Sequence, residues 1–245
     1  MICMKEVARP GKFGKFGNSG GEYGAGNGML NCRLATGQGR PLTILCLGAH
    51  SDDIEIGCGG TILKLIEEHE RTEFYWVVLS AGKKRRREAT ESAKAFLEKA
   101  KRKTVVVKNF KDGYLPYSGG EIKTYFEGLK RKVSPDIIFT HYRSDLHQDH
   151  RVISDLAWNT FRNHLILEYE IPKYDGDLGC PNFFVHLKES ICNRKIQYML
   201  KYFASQRENQ WFDRETFQSL LRLRGVESNS PDKYAEAFYC RKFVL

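Results

Sequence analysis

The chain has 245 residues, of which 41% are hydrophobic and 12% aromatic, and its formal net charge is +9. This apolar content is enough for one α/β domain with a core. No apolar run approaches the roughly 18 residues that span a bilayer, and no apolar stretch typical of a secretory signal opens the chain, so we expect a soluble, cytoplasmic protein. The seven cysteines form no CxxC pair, which disfavours disulfide frameworks and cysteine zinc sites.

Residues 1–41 differ in composition from the rest of the chain. They contain 10 of the 22 glycines, six basic and two acidic residues, and no helical or alternating periodicity. Such a composition is typical of a flexible Gly-rich extension. A nucleic-acid-binding tail is the alternative, because a basic balance attracts nucleic acid, anionic lipid and phosphorylated substrates alike.

From residue 42 onward, apolar strand patterns alternate with helical patterns. The predicted strands are 42–47, 74–79, 104–107, 136–140, 165–169, 183–187 and 234–244. Five of the predicted helices are 60–71, 84–101, 121–133, 195–205 and 214–224. One more helix is predicted to begin after His150 and to end at about residue 163. This alternation predicts one Rossmann-like α/β domain over 42–245, with a mainly parallel sheet and helices on both faces.

The first predicted strand ends in a cluster of polar side chains. His50, Asp52 and Asp53 follow the strand directly, at the edge of the sheet where α/β proteins bind ligands. Gly57-Cys58-Gly59-Gly60 comes next and is interpreted as a turn that opens a helix. Its glycines lack the GxGxxG spacing of a dinucleotide loop, so close packing of helix against strand is the favoured explanation.

A second polar cluster follows the fourth strand. His147, Asp149 and His150 come after a short loop that contains Asp145, while His141 ends the strand itself and is a weaker candidate for the pocket lining. The carboxyl ends of parallel strands share one edge, so we expect the two clusters to converge. Imidazole and carboxylate ligands without thiolates suit Zn²⁺, with Fe²⁺ or Mn²⁺ as alternatives.

Both clusters resemble motifs of the LmbE-like/PIG-L family of zinc-dependent N-deacetylases. The first resembles the opening motif, although Ser51 replaces the usual proline of His-Pro-Asp-Asp, which removes a turn-stiffening residue and no ligand. The matching segments are 49–55 with Gly59-Gly60-Thr61, Arg85 with Glu88, Asp112-Gly113-Tyr114-Leu115, 147–151 and 234–238, so the resemblance spans about 42–245.

The resemblance implies a metal site and a general base. His50, Asp53 and His150 match the family's zinc ligands, and Asp52 matches the base that accepts a proton from water. The same match implies a zinc-dependent hydrolase that removes the acetyl group from an N-acetylated amino sugar or sugar conjugate.

Four further residues are candidates for supporting roles. His147 matches the group that stabilises the oxyanion or acts as an acid, and Asp149 would orient its imidazole. Asp145 serves either a similar orienting role or a loop cap. Arg85 would contact substrate hydroxyls or a phosphate, and Arg86 or Arg87 would extend that contact to a nucleotide- or lipid-diphosphate sugar. For the basic run 83–87, a solvated charged face is the alternative.

The expected partner is a small-molecule amino sugar or its conjugate, with no nucleic acid and no membrane span; a homo-oligomer is left open. Two alternatives remain from the sequence: a metal-dependent hydrolase of another amide or acyl substrate, and a basic nucleic-acid-binding protein. We expect the loop 172–182 and the C-terminal segment to select the substrate. The aromatic residues at 198–217 are assigned to the core in preference to a sugar-binding platform.

Overall fold

The computed structural model describes residue 34 and residues 40–244. The predicted N-terminal extension lies outside the described residues except for positions 34, 40 and 41. The strands are β1 (Leu42–Gly48), β2 (Thr72–Val78), β3 (Arg102–Val107), β4 (Ile137–His141), β5 (Leu165–Tyr169), β6 (Phe183–Leu187) and β7 (Tyr234–Cys240). The α-helices are α1 (Asp53–Glu68), α2 (Lys83–Phe96), α3 (Gly119–Lys130), α4 (Gln148–Thr160), α5 (Glu189–Tyr202) and α6 (Arg214–Glu227). Short 3₁₀ helices span Leu115–Ser118 and Ala204–Gln206.

The strands form one seven-stranded sheet in the order β3-β2-β1-β4-β5-β7-β6. The first five of these strands pair in parallel, and β7 is antiparallel to both β5 and β6. The predicted mainly parallel Rossmann-like sheet is therefore confirmed. The division of the chain at residue 42 stays a prediction.

Helices cover both faces of the sheet. On one face α1 contacts α2 and α5, and on the other α3 contacts α4. The core under α3 and α4 is built from buried apolar side chains of four strands and both helices, among them Leu45, Leu47, Val77, Ile138, Ile166, Ile122, Phe126, Ile153 and Ala157. No helix in the described part of the chain is long and apolar enough to cross a bilayer.

Helix α1 begins earlier than the sequence predicts. It starts at Asp53, so the four residues 57–60 lie inside the helix, and their interpretation as a turn is wrong. Their glycines allow close packing instead: a Cβ on Gly57 would lie 2.2 Å from the Tyr169 ring, and one on Gly59 would lie 2.7 Å from Phe96. The favoured explanation, close packing of helix against strand, is confirmed for Gly57 against β5, whereas Gly59 packs against helix α2.

Other element boundaries shift by a few residues. Helix α5 begins at Glu189 and not at 195, α4 begins at Gln148, before His150, and β7 ends at Cys240. Periodicity locates such elements well, whereas their ends depend on caps and neighbouring loops.

The strand order reverses between β1 and β4. From β1 the chain proceeds outward through β2 and β3, and then returns to place β4 on the other side of β1. The connections leave a crevice at the carboxyl ends of these two strands, which is where open α/β sheets bind ligands. Both polar clusters of the sequence follow these two strand ends.

Candidate active site

Two histidines and one aspartate converge in the crevice. Nδ1 of His50 lies 3.2 Å from Nε2 of His150, and the Asp53 carboxylate lies 3.4 Å from His50 Nδ1 and 3.6 Å from His150 Nε2. All three side chains are buried, and one ligand atom from each lies within 4.8 Å of the others. This group of nitrogen and oxygen donors could hold a metal ion.

Each of these imidazoles has a carboxylate on its other nitrogen. Asp149 Oδ2 lies 3.2 Å from His50 Nε2, and Asp145 Oδ2 lies 2.9 Å from His150 Nδ1. Histidines that bind metals commonly donate their second N–H to a carboxylate, which fixes the tautomer and the ring orientation. The arrangement therefore leaves His50 Nδ1 and His150 Nε2 facing the space beside Asp53.

The charges around His50 also fit a cation. Although burial favours the neutral ring, the carboxylates of Asp53, Asp112 and Asp149 raise the pKa of His50 well above its usual value. Asp112 Oδ1 lies 3.1 Å from His50 Nε2. The buried acidic groups exceed the fixed positive charges beside them, so a bound divalent ion would offset the surplus.

Two other groups of possible ligands overlap with the first. They are His50 with His147 and Asp149, and His141 with Asp145 and His150. Each shares a histidine with the first group. Each also includes the carboxylate that contacts the nitrogen of that histidine facing away from Asp53. The first group matches the residues that the family motif assigns to the metal.

The turn after β1 positions the first ligands. The backbone N–H of His50 donates to Asp53 Oδ2 at 2.6 Å, which folds the chain tightly into the first turn of α1. Asp53 is an acidic residue of that turn, where the helix dipole favours negative charge. Ser51, which replaces the family's proline, is fully buried and its side-chain hydroxyl has no hydrogen-bond partner among the described residues.

Asp52 lies next to the candidate ligands but has different surroundings. Burial raises the pKa of Asp52 to about 6, although the nearby Arg85 guanidinium opposes this shift. Nη2 of Arg85 lies 2.9 Å from Asp52 Oδ1. Asp53 differs because the imidazoles of His150, His141 and His50 outweigh its burial and hold its pKa well below the usual value. A carboxylate with a raised pKa suits proton transfer near neutral pH.

His147 caps the next helix with its side chain. The backbone N–H of Asp149 donates to His147 Nδ1 at 3.2 Å, so Nδ1 is an acceptor and Nε2 carries the proton of the neutral ring. Burial lowers the pKa of His147, which favours this neutral form. The ring centroids of His147 and His50 are 4.9 Å apart. The neutral Nε2–H remains a donor beside the candidate metal site.

The carboxylate of Asp149 differs from its predicted role. It accepts hydrogen bonds from the backbone N–H groups of Gly113 at 2.8 Å and Leu115 at 3.1 Å, and it contacts His50. The expected side-chain hydrogen bond to His147 is replaced by one from the Asp149 backbone N–H. The first turn of α4 directs the carboxylate toward the 112–115 loop, which explains the difference.

Asp145 combines the two roles left open for it. Its Oδ1 accepts the backbone N–H of His147 at 2.8 Å, which is a loop cap, while Oδ2 contacts His150. Lys173 Nζ lies 3.1 Å from the same Oδ2 and also contacts Asp177. Although burial opposes the shift, the hydrogen bond with His150, together with His141 and Lys173, holds the pKa of Asp145 well below its usual value.

His141 lies beneath the site and is completely buried. Its Nε2 lies 3.2 Å from Asp53 Oδ2, accepts the backbone N–H of Ala49 at 3.0 Å and lies 3.3 Å from the Tyr169 hydroxyl. The position of His141 at the end of β4 was the sequence signal for this contact.

Arg85 reaches into the crevice and pairs with carboxylates there. Besides Asp52 it approaches Asp112, with 3.7 Å between Nη1 and Oδ2. Its neighbours point elsewhere: Arg86 donates to the Val107 carbonyl, and Arg87 pairs with Glu91. Asp112 lies in the segment 112–115 that resembles the family, and its contacts with His50 and Arg85 had no signal in the sequence.

The crevice opens into a cavity of about 200 Å³. Among its lining residues are Arg85, Ile171, Lys173, Gln206 and Trp211 beside the polar groups already described. The assignment of residues 198–217 to the core holds for Phe203, Phe212 and Phe217, which are buried, but is wrong for Trp211. Trp211 lies between Phe203 and Phe212 in the chain, and nothing in the sequence distinguishes a tryptophan that is buried in the core from one that lines a cavity.

The part of the chain that carries the crevice matches the model of a known protein family. Residues 45–161 match the family model PIG-L, described as GlcNAc-PI de-N-acetylase. That segment contains both polar clusters and the strand ends that carry them.

Several solved structures share the fold. N,N'-diacetylchitobiose deacetylase from Pyrococcus horikoshii is 22% identical with a TM-score of 0.63, covering 81% of this chain and 83% of that chain. GalB, the 4-carboxy-2-hydroxymuconate hydratase from Pseudomonas putida KT2440, is 18% identical with a TM-score of 0.67, covering 83% and 97%. Teicoplanin deacetylase Orf2, in a zinc-inhibited form, is 13% identical with a TM-score of 0.61, covering 81% and 97%.

At these identities the structural matches show the fold, and they include proteins with different activities. The match to the family model covers both halves of the crevice. Residues 45–161 of this chain therefore match the PIG-L (LmbE-like) family.

Proposed function

We propose that this protein is a metal-dependent hydrolase that removes the acetyl group from an N-acetylated amino sugar or sugar conjugate. The observation that carries the proposal is the convergence of His50, Asp53 and His150 beside the buried Asp52, within the segment that matches the PIG-L model. Zn²⁺ is the favoured ion, with Fe²⁺ and Mn²⁺ as alternatives, because the donors are imidazoles and a carboxylate.

The metal ligands would be His50 through Nδ1, His150 through Nε2 and the Asp53 carboxylate. Three protein ligands leave room for further coordination, as in catalytic zinc sites. When bound, such an ion acts as a Lewis acid that polarises the acetamido carbonyl and makes water easier to deprotonate. Asp145 and Asp149 would hold the two imidazoles in position.

Asp52 would act as the general base. Its carboxylate accepts a proton from water as the water oxygen attacks the acetamido carbon, and its raised pKa keeps proton transfer favourable near neutral pH. The resulting carboxyl group then returns the proton to the sugar nitrogen as the C–N bond breaks. The products are acetate and the free amino sugar.

His147 would stabilise the oxyanion with its Nε2–H. The neutral ring suffices for this, because Nδ1 is occupied by the Asp149 N–H and the proton is fixed on the opposite nitrogen. A positioned donor that interacts with negative charge only as the charge develops stabilises the transition state more than the ground state. It therefore lowers the barrier. Of the two roles that the resemblance implies for His147, the proposal keeps oxyanion stabilisation and assigns it to a neutral donor.

Hydrolysis of another amide or acyl group by the same residues is the nearest alternative, and the match to a hydratase shows that the fold alone does not fix the reaction. A nucleic-acid-binding protein would make no use of the converging ligands. Arg85, Arg86 and Arg87 of the basic run each have an acceptor within the protein.

The proposal is tested by measuring acetate release from free, nucleotide-linked and lipid-linked N-acetyl sugars, with and without a chelator. We expect release from at least one conjugate, its loss on chelation and its recovery when Zn²⁺, Fe²⁺ or Mn²⁺ is returned. Acetate release that is indifferent to chelation would contradict the metal requirement. No release from any sugar, together with hydrolysis of a non-sugar amide, would favour the alternative.

A further inference from the structure

A second, larger cavity adjoins the candidate active site. It has a volume of about 630 Å³ and shares Trp211 with the catalytic cavity. We call it the outer groove and define it by its apolar lining, Pro172, Tyr174, Leu178, Trp211, Leu220 and Leu223. Ile171 and Lys173, which flank Pro172 in the chain, line the catalytic cavity, so the two cavities are neighbours at Trp211 and at residues 171–173.

The outer groove concentrates exposed apolar surface. Tyr174, Leu178 and Leu223 are 73%, 43% and 51% exposed, and they are three of the nine exposed large hydrophobic residues in the described part of the chain. A contiguous apolar surface beside a polar site is typical of ligand binding, whereas isolated exposed apolar residues are ordinary.

The groove is attached firmly to the catalytic residues. Lys173 Nζ contacts Asp177 at 2.5 Å and Asp145 at 3.1 Å, and Asp177 also accepts the backbone N–H of Leu146 at 2.7 Å. These contacts tie the 172–182 loop, which carries Tyr174 and Leu178, to the loop that precedes His147. A groove that is already organised loses less entropy when a ligand binds.

The charges of the groove disfavour an anionic occupant. Asp213 and Glu215 line it. Lys173 at its inner end is neutralised by two carboxylates, and Arg85 faces Asp52 and Asp112 inside the catalytic cavity. A diphosphate linker in the groove would thus lie beside carboxylates. Lys173 and Arg85 are both already paired with carboxylates and would not neutralise it.

We propose that the outer groove binds the aglycone of the substrate, and that this aglycone is apolar and uncharged. The identity of the ligand rests on the proposed function: with the acetamido group at His50, Asp53 and His150, the sugar lies beside Trp211 and its substituent continues into the groove. The tryptophan marks the boundary between the two subsites. This assignment replaces the nucleotide- or lipid-diphosphate sugar with a neutral glycoside.

The test compares binding of octyl and methyl glycosides of N-acetylglucosamine, in both anomers, and of N-acetylglucosamine 1-phosphate. Isothermal titration uses the full chain with a chelator present, so that binding is measured without turnover, below the micelle concentration of the octyl glycoside. We expect one octyl glycoside per chain, bound about tenfold or more tightly than the methyl glycoside, because each buried methylene favours binding. The phosphate should bind more weakly than the octyl glycoside.

Two tyrosine variants provide a matched pair. Tyr174→Ser removes an exposed ring from the groove, and Tyr117→Ser removes one that is 85% exposed outside it. Tyr174→Ser should bring the octyl-to-methyl affinity ratio toward one, while Tyr117→Ser should preserve it. Equal affinity for the octyl and methyl glycosides, stronger binding of the phosphate, or equal effects of both variants would overturn the assignment.

Acetate release from the same glycosides, with metal restored, separates this inference from the proposed function. Octyl-selective binding that depends on Tyr174 without acetate release would support the groove and contradict the deacetylase. Acetate release from octyl and methyl glycosides with equal kcat/KM would support the deacetylase and overturn the groove.

Discussion

Asp52 and Asp53 are adjacent in the chain, but their surroundings shift their carboxyl pKa values in opposite directions. Asp53 lies among three imidazoles, which hold its pKa low, and burial raises the pKa of Asp52 to about 6. Two neighbouring carboxylates with separated pKa values are suited to different tasks. Asp53 thus suits metal binding, and Asp52 suits proton transfer.

The role of Asp52 predicts the effect of removing its charge. Asp52→Asn should lower kcat about 10²–10⁴-fold, because the loss of a general base has effects of this size. Bound metal should stay near the wild-type level, which elemental analysis of the purified variant measures. Asp155→Asn, at a half-exposed carboxylate on α4, is the matched control and should keep wild-type turnover. Near-normal kcat in Asp52→Asn would contradict the assignment.

At the scale of elements, α1 is the helix that brings the catalytic turn against the sheet. Glycine at position 57 allows the helix to approach Tyr169, whose hydroxyl donates to the Leu47 carbonyl in β1 at 2.7 Å. The sequence revealed that these glycines serve close packing, but not that they lie inside the helix. Glycine lowers helix propensity, and only the tertiary contacts with Tyr169, Phe96 and Leu187 overcome that tendency.

Two glycine substitutions test this packing. Gly57→Ala should destabilise the fold by about 1–3 kcal/mol, because its methyl group would overlap the Tyr169 ring. Gly128→Ala, in α3, meets no atom closer than 3.8 Å and should stabilise the fold by about 0.5–1 kcal/mol. Urea denaturation measures both. Equal stabilities for the two variants would show that packing at Gly57 does not constrain α1.

A buried ion pair joins α5, β7 and α1. Lys195 Nζ lies 2.6 Å from Glu236 Oε1 and donates to the Ile56 carbonyl, while the Glu236 carboxylate accepts the N–H groups of Gly60 and Thr61. The residues interact with backbone groups inside α1, so the C-terminal strand helps to hold this helix. Glu236 lies in the segment 234–238 that resembles the family, and Lys195 begins the predicted helix 195–205, but neither pattern indicates this pairing.

Removing one partner of this pair should be costly. Lys195→Met should lower the free energy of unfolding by about 3–5 kcal/mol, because it leaves a buried carboxylate without its cation. The double variant Lys195→Met/Glu236→Gln should recover part of the loss, since no charge is then left unpaired. Guanidinium denaturation compares the three proteins. A single variant as stable as the wild type would contradict this account of the pair.

At the scale of the whole molecule, the strand order creates the site. The reversal between β1 and β4 brings together residues about 100 positions apart, and the alternation of apolar runs and helices was sufficient to predict this convergence. The sequence could not predict which nitrogen of His50 faces Asp149, or that Trp211 leaves the core. Such details depend on side-chain orientation in loops, which periodicity does not encode.

The most direct test of the metal site measures bound metal and acetate release together in the full-length wild type, His150→Ala, His147→Ala and His164→Ala. We predict about one divalent ion per wild-type chain. His150→Ala should lose both the ion and the activity, whereas His147→Ala should keep the ion and release acetate more slowly. His164→Ala, outside both clusters, should match the wild type. A full equivalent of metal in His150→Ala, or wild-type acetate release after the metal is stripped, would contradict the account.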